Sequence, residues 1–332
     1  MSNSSCEETG HVSGPNFIQL YPSIVFFCVL LLVVGIPGNG LILYIYTKKI
    51  NIPIISFFIK VLAILNLVCT SCLLPALVLF KSNIKEELFC KWFAVGQHVF
   101  LINTGVIYVT IAIQRYRKMC TVNQSQINAS TAKKILLGCV LFSVTTCFPH
   151  MFLLRVTRAN VKFRCVSQVP YCGYEQTYLY THIYITWMLL ELCVVVVTLV
   201  VLYSLIGKHI AAHKRQMSRY PVSEGQGHTK LSNPTGMFFT LTMIFLLSVA
   251  PRIGMAIYTR QTITNATYPQ SVHHLRDVII MLPFINCVSN PFVYVFTSKV
   301  FRMHVVSLFC AERRIESTSP PSITIRTQES VL

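Results

Sequence analysis

The side chains that could do chemistry are few, and most of them are neutral. Two ionisable residues, Glu191 and Arg252, lie inside long apolar segments, where a charge is costly and needs a partner or a cavity. We expect them to lie near each other, either as a structural ion pair or as ligand anchors, Arg252 for an anionic group and Glu191 for a basic one. His98, His182 and Tyr108 either line the same cavity or pack on helix faces. No metal-ligand cluster, nucleophile–base pair or phosphate loop is apparent, so binding is predicted, without a catalytic site or cofactor.

Cys90 and Arg115 mark the two ends of one apolar segment. Their separation of twenty-five residues corresponds to about 37 Å of helix at 1.5 Å per residue. A tilted helix of that length crosses the hydrocarbon core of a membrane, which is about 30 Å thick. The cysteine is therefore predicted at the outer surface and the arginine at the cytoplasmic edge.

Composition and hydropathy predict an all-α membrane protein. The chain of 332 residues is 53% hydrophobic and 12% charged, about half the charged fraction of soluble domains. Seven apolar segments are each long enough to cross the bilayer, which predicts a seven-transmembrane helix bundle over residues 23–296. The segments run over 23–47, 54–80, 88–118, 132–154, 178–207, 233–259 and 272–296.

The formal net charge of +17 follows membrane topology. Lys and Arg flank the apolar segments instead of forming one stripe, so nucleic acid is not predicted as a partner. With the N-terminus outside, the cytoplasmic connections hold eighteen Lys and Arg and the outer connections nine. Residues 1–22 contain no Lys or Arg and are predicted to be an extracellular N-terminus before a signal-anchor helix. The predicted location is the plasma membrane.

Motifs on the seven segments resemble the rhodopsin-like G-protein-coupled receptors, in register, across roughly residues 23 to 310. They are Gly38-Asn39, Leu62-Ala63-Ile64-Leu65-Asn66 with Pro75, Cys90, Gln114-Arg115-Tyr116, Tyr203, Phe245 with Pro251, and Asn290-Pro291-Phe292-Val293-Tyr294. Each motif alone is weak, but the whole set in order is specific. The resemblance implies a receptor that passes the binding of an extracellular ligand to heterotrimeric G proteins, with arrestin as a further partner, through a shift between two helix packings.

The resemblance also assigns roles to single residues. The switch for G-protein coupling corresponds to Gln114, Arg115, Tyr116, Tyr203, Asn290, Pro291 and Tyr294. A neutral polar core corresponds to Asn39, Asn66, Thr104 and Asn286. Gln97 stands where amine receptors carry an aspartate and Phe284 where visual pigments carry the retinal lysine, so an aminergic ligand and covalent retinal are not expected. The candidates for the ligand pocket are thus Gln97, His98, Glu191, Arg252 and Phe284.

Several switch positions depart from the family pattern. Gln114 replaces Asp or Glu, and its neutral amide binds an arginine more weakly than a carboxylate would. Asn66 replaces the acid that helps to hold sodium in relatives, so a hard cation has little reason to bind. Val195 replaces a proline and Val249 a tryptophan. We expect a weakly stabilised inactive state and raised basal signalling, which Gln114→Asp and Asn66→Asp would lower. The alternative is that the sequence has diverged from the family pattern and that changes in helix packing compensate for these substitutions.

Cysteine pairing on the outer side is left open by the sequence. The cysteines available there are Cys6, Cys90, Cys165 and Cys172, and four cysteines allow three connectivities. The alternation over 155–166, with a turn at Ala159-Asn160, predicts a β-hairpin. Since such a hairpin precedes the bonded cysteine in peptide-binding family members, the resemblance favours Cys90–Cys165 with Cys6–Cys172 over Cys90–Cys172.

The chain ends carry candidate modification and docking signals. Asn3 and Asn265 begin outer-facing glycosylation sequons. Residues 297–310 are predicted to form a short amphipathic juxtamembrane helix on the bilayer, where Cys310 is either palmitoylated or an unmodified thiol facing lipid. A disordered cytoplasmic tail is predicted over 311–332, and its final Ser330-Val331-Leu332 matches a PDZ-domain ligand.

The predicted ligand is a peptide, or an anionic lipid or metabolite, because the outer segments are basic and the hairpin is typical of peptide-binding members. Two other functions stay open. The residue Gln114 suggests a non-signalling decoy or scavenging receptor. A transporter or channel would need a polar pathway, and the spans offer little beyond Glu191 and Arg252.

Overall fold

The computed structural model describes residues 17–50, 53–82, 86–121, 127–162, 166–174, 179–219, 234–262 and 268–310. Its α-helices are α1 Phe17–Leu20, α2 Pro22–Leu30, α3 Ile36–Lys48, α4 Pro53–Val68, α5 Leu74–Lys81, α6 Glu86–Cys120, α7 Ala129–Cys147, α8 His150–Leu153, α9 Leu179–Arg219, α10 Pro234–Thr262, α11 Gln270–Met281, α12 Ile285–Thr297 and α13 Lys299–Cys310. The π-helical turns Leu31–Gly35 and Cys69–Leu73 join α2 to α3 and α4 to α5, and the 3-10 turn Leu282–Phe284 joins α11 to α12.

Within the described ranges, seven helical stretches are long and apolar enough to cross a membrane. Spans 1 to 7 are Pro22–Lys48, Ile54–Lys81, Glu87–Cys120, Ala129–Leu153, Leu179–His213, Pro234–Met255 and Gln270–Thr297. Span 3 is the most buried and contacts spans 2, 4, 5 and 6. The predicted seven-helix bundle is therefore confirmed, with span 3 at its centre.

Small residues let the spans approach each other closely, as is usual for helices packed in membranes. A Cβ atom placed on Gly38 of span 1 would stand 2.4 Å from Cγ of Pro291 in span 7. One placed on Gly105 of span 3 would stand 2.5 Å from Cγ1 of Val195 in span 5. Glycine at these two positions is therefore required by close helix contact.

A β-hairpin lies at the end of the bundle where span 3 begins, and we call this the hairpin end. Strand β1 (Leu154–Lys162) pairs antiparallel with β2 (Val166–Tyr174), and the two-residue β3 (Tyr268–Pro269) pairs with β1. The predicted turn at Ala159-Asn160 is wrong, because both residues lie inside β1 opposite β2. The alternation seen in the sequence belongs to one long strand, not to two short ones. The other end of the bundle is called the Arg115 end.

The disulfide of span 3 joins Cys90 to Cys172, with the two Cα atoms 5.6 Å apart. The predicted pairs Cys90–Cys165 and Cys6–Cys172 are therefore wrong; Cys6 and Cys165 themselves lie outside the described residues. The register of β2 gives the reason, since Cys172 stands opposite Val156 at the base of the hairpin. Val166, next to Cys165 in the chain, is six residues further along this strand, about 20 Å at 3.3 Å per residue.

Helix α13 follows span 7 directly and confirms the predicted C-terminal helix. The Ser298 hydroxyl accepts a hydrogen bond from the Phe301 backbone N–H at 3.2 Å and so caps the first turn. Phe301 is buried and stacks on Tyr46 of span 1, with ring centroids 6.0 Å apart. Met303 and Val306 are exposed on the same helix, as expected where a helix lies against a bilayer surface.

Candidate ligand cavity and switch region

A cavity of about 410 Å³ opens at the hairpin end between spans 2 to 7 and strand β2. Its volume falls in the range of about 300–1,000 Å³ that is usual for ligand pockets. Much of the wall is apolar and includes Phe93, Leu101, Met188, Leu192 and Ile280. A ligand bound here would therefore bury a hydrophobic body against several spans at once.

The charged groups on this wall are all basic. Lys81, Arg252 and Arg276 line the cavity, and no carboxylate of a described residue does. The Lys81 ammonium is neutralised by Asp277, 3.3 Å away. Arg252 makes no hydrogen bond and no ion pair with any residue that the structure describes. The cavity is thus electropositive, and the Arg252 guanidinium keeps its donors available.

Glu191 is paired with His98, not with Arg252. Its Oε2 lies 3.0 Å from His98 Nε2, and both side chains are largely buried between spans 5 and 3. The expected ion pair between Glu191 and Arg252 is therefore wrong, because Glu191 faces span 3, whereas Arg252 faces the cavity. A carboxylate accepts hydrogen bonds, so His98 Nε2 carries a hydrogen and Nδ1 is left for the cavity.

His150 connects span 4 to span 5 and to the hairpin. Its Nε2 lies 2.9 Å from the Tyr174 hydroxyl, and its Nδ1 contacts both the Tyr184 hydroxyl and, at 3.2 Å, the Cys147 carbonyl. Since a carbonyl only accepts, we assign the hydrogen to Nδ1 and the accepted bond to Nε2. Both ring nitrogens are occupied, so His150 holds the cavity wall together. Sequence reasoning missed this network, because neither tyrosine belongs to a recognisable motif.

The other two pocket candidates, Gln97 and Phe284, hold spans together in this packing. Gln97 lines the cavity, but its amide donates to the Ile280 carbonyl at 3.0 Å and joins span 3 to span 7. Phe284 is fully buried between the rings of Phe93 and Phe100, with centroids 6.2 Å away in each case. Gln97, His98 and Arg252 therefore reach the cavity, while Glu191 and Phe284 support its wall from behind.

A second buried ionic cluster was missed by the sequence analysis. Lys81 of span 2 and Asp277 of span 7 form an ion pair with side chains 3% and 1% exposed. Tyr21, just before span 1, lies under the ammonium, 4.7 Å from ring centroid to Nζ, and His273 Nε2 is 3.5 Å from the second carboxylate oxygen. The statement that Glu191 and Arg252 are the charged residues inside the spans is thus wrong. A signal existed, since Asp277 is the chain's only aspartate and falls within the predicted segment 272–296.

Hydrogen bonds of the polar core join spans 1, 2, 6 and 7, although its members do not form one network. The Asn39 amide donates to the carbonyls of Gly35 and Cys287 at 2.7 and 2.6 Å. The Asn66 amide donates to Asn39 Oδ1 at 3.0 Å, a bond that a carboxylate at position 66 could not give. Asn66→Asp would lose this bond, and its expected lowering of basal signalling stays a prediction.

The remaining polar-core residues lie apart from that pair. The Asn286 amide donates to Ser248 Oγ of span 6 at 3.2 Å and to the Pro283 carbonyl at 2.9 Å. The Thr104 hydroxyl and the side-chain oxygens of Asn66, Asn286 and Asn290 are buried and accept no hydrogen bond in the described part of the chain.

At the opposite end, Arg115 is held by an aromatic ring. The residue is 6% exposed, and its guanidinium carbon lies 5.6 Å from the ring centroid of Phe238 in span 6. It forms no ion pair or hydrogen bond with any described residue, and its Nε is buried without a partner. The neighbouring Gln114 accepts a hydrogen bond from the Ile127 backbone N–H at 3.0 Å and so anchors the segment before span 4.

Other switch residues bridge the same spans. The Thr242 hydroxyl of span 6 donates to the Tyr203 hydroxyl of span 5 at 3.3 Å, and Thr235 of span 6 lies 3.6 Å from the Met119 sulfur of span 3. Tyr294 is fully buried beside Tyr46, with ring centroids 6.0 Å apart and its hydroxyl unpaired within the described residues. Spans 3, 5 and 6 therefore meet at the Arg115 end, Tyr294 joins span 7 to span 1, and Tyr116 is half-buried.

This geometry agrees with the comparison with known families. The model of the 7 transmembrane receptor (rhodopsin family) matches residues 38–294 of the chain. The chain belongs to the rhodopsin family. The matched stretch contains the cavity wall, the ion pair of spans 2 and 7, and the Arg115 contact with span 6.

Curated relatives of this rhodopsin-family receptor are distant. It is 23% identical to the pyroglutamylated RF-amide peptide receptor of Rattus norvegicus, in an alignment that covers 85% of this chain and 69% of the relative. It is also 23% identical to the receptor of the same name from Mus musculus, where the alignment covers 82% of this chain and 66% of the relative. It is also 23% identical to chemokine XC receptor 1 of Mus musculus, over 92% of the chain and 89% of the relative. All three relatives are receptors, none an enzyme.

Several predictions fall on residues that the structure does not describe. These are the N-terminal residues 1–16, the glycosylation sequons at Asn3 and Asn265, the tail 311–332 and its final Ser330-Val331-Leu332. Cys310 is the last residue of α13, and its palmitoylation stays a prediction.

Proposed function

We propose that the protein is a plasma-membrane receptor, N-terminus outside, that passes the binding of an extracellular ligand to heterotrimeric G proteins. The observation that carries this proposal is the contact of Arg115 with Phe238. One buried cation–π contact contributes about 2 kcal/mol. Loss of this contact alone would therefore cost little, and no ion pair with a described residue holds Arg115 to span 6.

The same two spans reach the cavity at the hairpin end, and this supports coupling between the ends. Span 3 carries His98 in the cavity and Arg115 at the switch, and span 6 carries Arg252 and Phe238. Pro251 lies inside α10 between those two residues of span 6, and a proline in a helix interior removes a hydrogen bond and permits a kink. A ligand shifts the packing by its difference in affinity for the two states.

The ligand is a peptide or an anionic lipid or metabolite. Two kinds of support favour this choice: the distant relatives are named as peptide and chemokine receptors, and the cavity wall is electropositive. Arrestin is a further partner by analogy with the family. Palmitoylation of Cys310 would anchor α13 to the bilayer, and the C-terminal residues would bind a PDZ domain.

Nucleotide exchange by purified G proteins on the receptor in nanodiscs tests this function. We expect basal exchange by the wild type, and its loss in Arg115→Ala, whose surface expression and thermal stability are measured in parallel. Ligand uptake without any exchange would instead identify a decoy receptor. Ion currents that Arg115→Ala leaves unchanged would identify a channel.

A further inference from the structure

We infer that the cavity binds its ligand by a single anionic group held on Arg252, with the apolar remainder of the ligand buried between spans 3, 5 and 7. This inference rests on the proposed function, because it names the ligand class of that receptor. The shared chemistry is a carboxylate at the end of an apolar body. It occurs in an amphiphilic carboxylic acid and at the free C-terminus of a hydrophobic peptide.

The first support is that Arg252 lacks an internal partner. The chain's buried lysine in the same wall, Lys81, has Asp277 at 3.3 Å, and the nearest acid of span 5, Glu191, is bound to His98. No described residue forms an ion pair or hydrogen bond with Arg252. A guanidinium in a membrane-spanning helix is costly unless it is paired, so an external anion is the partner that completes the site.

The second support is the arrangement of polar atoms around it. Arg252, His98, His150 and Tyr174 line one cavity, and the rings of His98 and His150 lie 5.9 Å apart. The bonds to Tyr174, Tyr184 and Cys147 occupy both nitrogens of His150. Of these four residues, the guanidinium of Arg252, which only donates, and Nδ1 of His98 are left for a ligand. His182 lines the same cavity and has an Nδ1 that no described residue bonds. A carboxylate accepts two parallel bonds from a guanidinium.

The third support is the size and polarity of the rest of the cavity. About 410 Å³ is enough for a small amphiphile or the last residues of a peptide. Leu101, Met188, Leu192 and Ile280 form an apolar wall that would bury such a body. One anionic group is matched, because Lys81 is paired with Asp277 and Arg276 has an interaction of its own, which leaves Arg252.

The test measures the unfolding temperature of the full-length receptor in nanodiscs, without G protein, against probe concentration. One arm compares decanoic acid with decanamide, and the other compares a leucine- and phenylalanine-containing tripeptide with its C-terminal amide. A ligand that binds the folded state raises the unfolding temperature by mass action. We expect one of the two acids to raise it saturably and its amide to fail, and the arm that responds identifies the source of the carboxylate.

Variants locate the site. Arg252→Gln should weaken binding of the acid by roughly 10- to 100-fold, as loss of charge-assisted hydrogen bonds implies, and Arg252→Glu should transfer the preference to decylamine. Arg155→Gln is the matched control, since Arg155 is a cation of the hairpin end that does not line the cavity. Without any probe, Arg252→Gln should unfold at a higher temperature than wild type, because an unpaired charge is removed.

Three results would overturn the inference: equal binding of acid and amide, retained affinity in Arg252→Gln, or a lower unfolding temperature of unliganded Arg252→Gln. The first comparison uses the wild type alone and does not depend on the folding of a variant. The outcome is independent of the proposed signalling. Binding as expected without nucleotide exchange would refute signalling, and exchange without acid binding would refute only this ligand class.

Discussion

Replacing Phe238 with leucine should raise the basal activity of the receptor. Phe238 is 1% exposed and Arg115 6% exposed, so their contact is desolvated, and the guanidinium stands 5.6 Å from the ring centroid. Leucine keeps most of the apolar volume but has no aromatic face. The substitution therefore removes the cation–π interaction that favours the closed packing of spans 3 and 6, and leaves the remaining contacts largely in place.

The magnitude follows from the size of that interaction. Cation–π contacts contribute about 1 kcal/mol at exposed sites and about 2 kcal/mol when desolvated. A loss of 1–2 kcal/mol shifts a two-state equilibrium by roughly 5- to 30-fold. If the open state holds about 1% of the unliganded population, a value within the usual range, the variant would hold about 5% to 25%.

The assay is basal nucleotide exchange per receptor, with receptor number measured on the same membranes. The matched control is Phe142→Leu, because Phe142 is a 48% exposed phenylalanine of span 4 outside the switch. A Phe238→Trp variant should stay near wild type, since tryptophan also offers an aromatic face to a cation. Equal basal exchange in Phe238→Leu and Phe142→Leu would refute the aromatic latch.

Three further substitutions test the packing. Asp277→Asn leaves Lys81, the buried lysine of span 2, without its charged partner and should cost about 3–5 kcal/mol of stability. The loss is measured as a lower unfolding temperature. Neutralising Lys81 and Asp277 together should recover most of the lost stability. Gly38→Ala places a methyl group against the Pro291 ring and should lower the free energy of unfolding by about 1–3 kcal/mol. Gly40→Ala is the control, because Gly40 has open space around it and its substitution should not destabilise the receptor. Equal effects of the two substitutions would contradict the close contact. Cys172→Ser opens a loop closed by a bond spanning 82 residues and should cost about 2–5 kcal/mol, while Cys165→Ser leaves that bond in place in peptide mapping.

The spans could be predicted from the sequence because crossing a membrane is a local property. About twenty apolar residues suffice to mark each crossing, and the observed spans, such as Ile54–Lys81 and Gln270–Thr297, lie where the hydropathy placed them. The helix after span 7 was predictable for a similar reason, since Ser298 and the buried Phe301 belong to one short stretch of chain.

Pairings between distant residues could not be predicted in the same way. The choice between Cys165 and Cys172 depends on the register of β2 against β1. Val166, the neighbour of Cys165, and Cys172 are six positions apart in β2, which corresponds to about 20 Å along the strand. The partner of Glu191 depends on the rotation of span 5 about its axis, which brings the carboxylate to His98. Neither quantity is encoded in a local pattern.

The switch residues illustrate both cases. Arg115 was recognisable from Gln114-Arg115-Tyr116, and its position near the end of span 3 follows from its distance to Cys90. Its contact with Phe238 was not predictable, because that phenylalanine belongs to no motif and is one of many apolar residues in span 6. Asp277 was detectable as the chain's only aspartate, but its partner Lys81 lies 196 positions away in the sequence.

The central claim is that spans 3 and 6 must part at the Arg115 end for the receptor to act on a G protein. Met119 and Thr235 approach each other there, with 3.6 Å between sulfur and hydroxyl oxygen. The most direct measurement is nucleotide exchange by Phe238→Leu receptor that also carries Met119→Cys and Thr235→Cys, before oxidation, after it, and after reduction. Oxidation should abolish exchange and reduction should restore it, and neither treatment should affect the two variants that carry only one of the added cysteines. Exchange that continues in the crosslinked receptor, or that is absent before crosslinking, would contradict it.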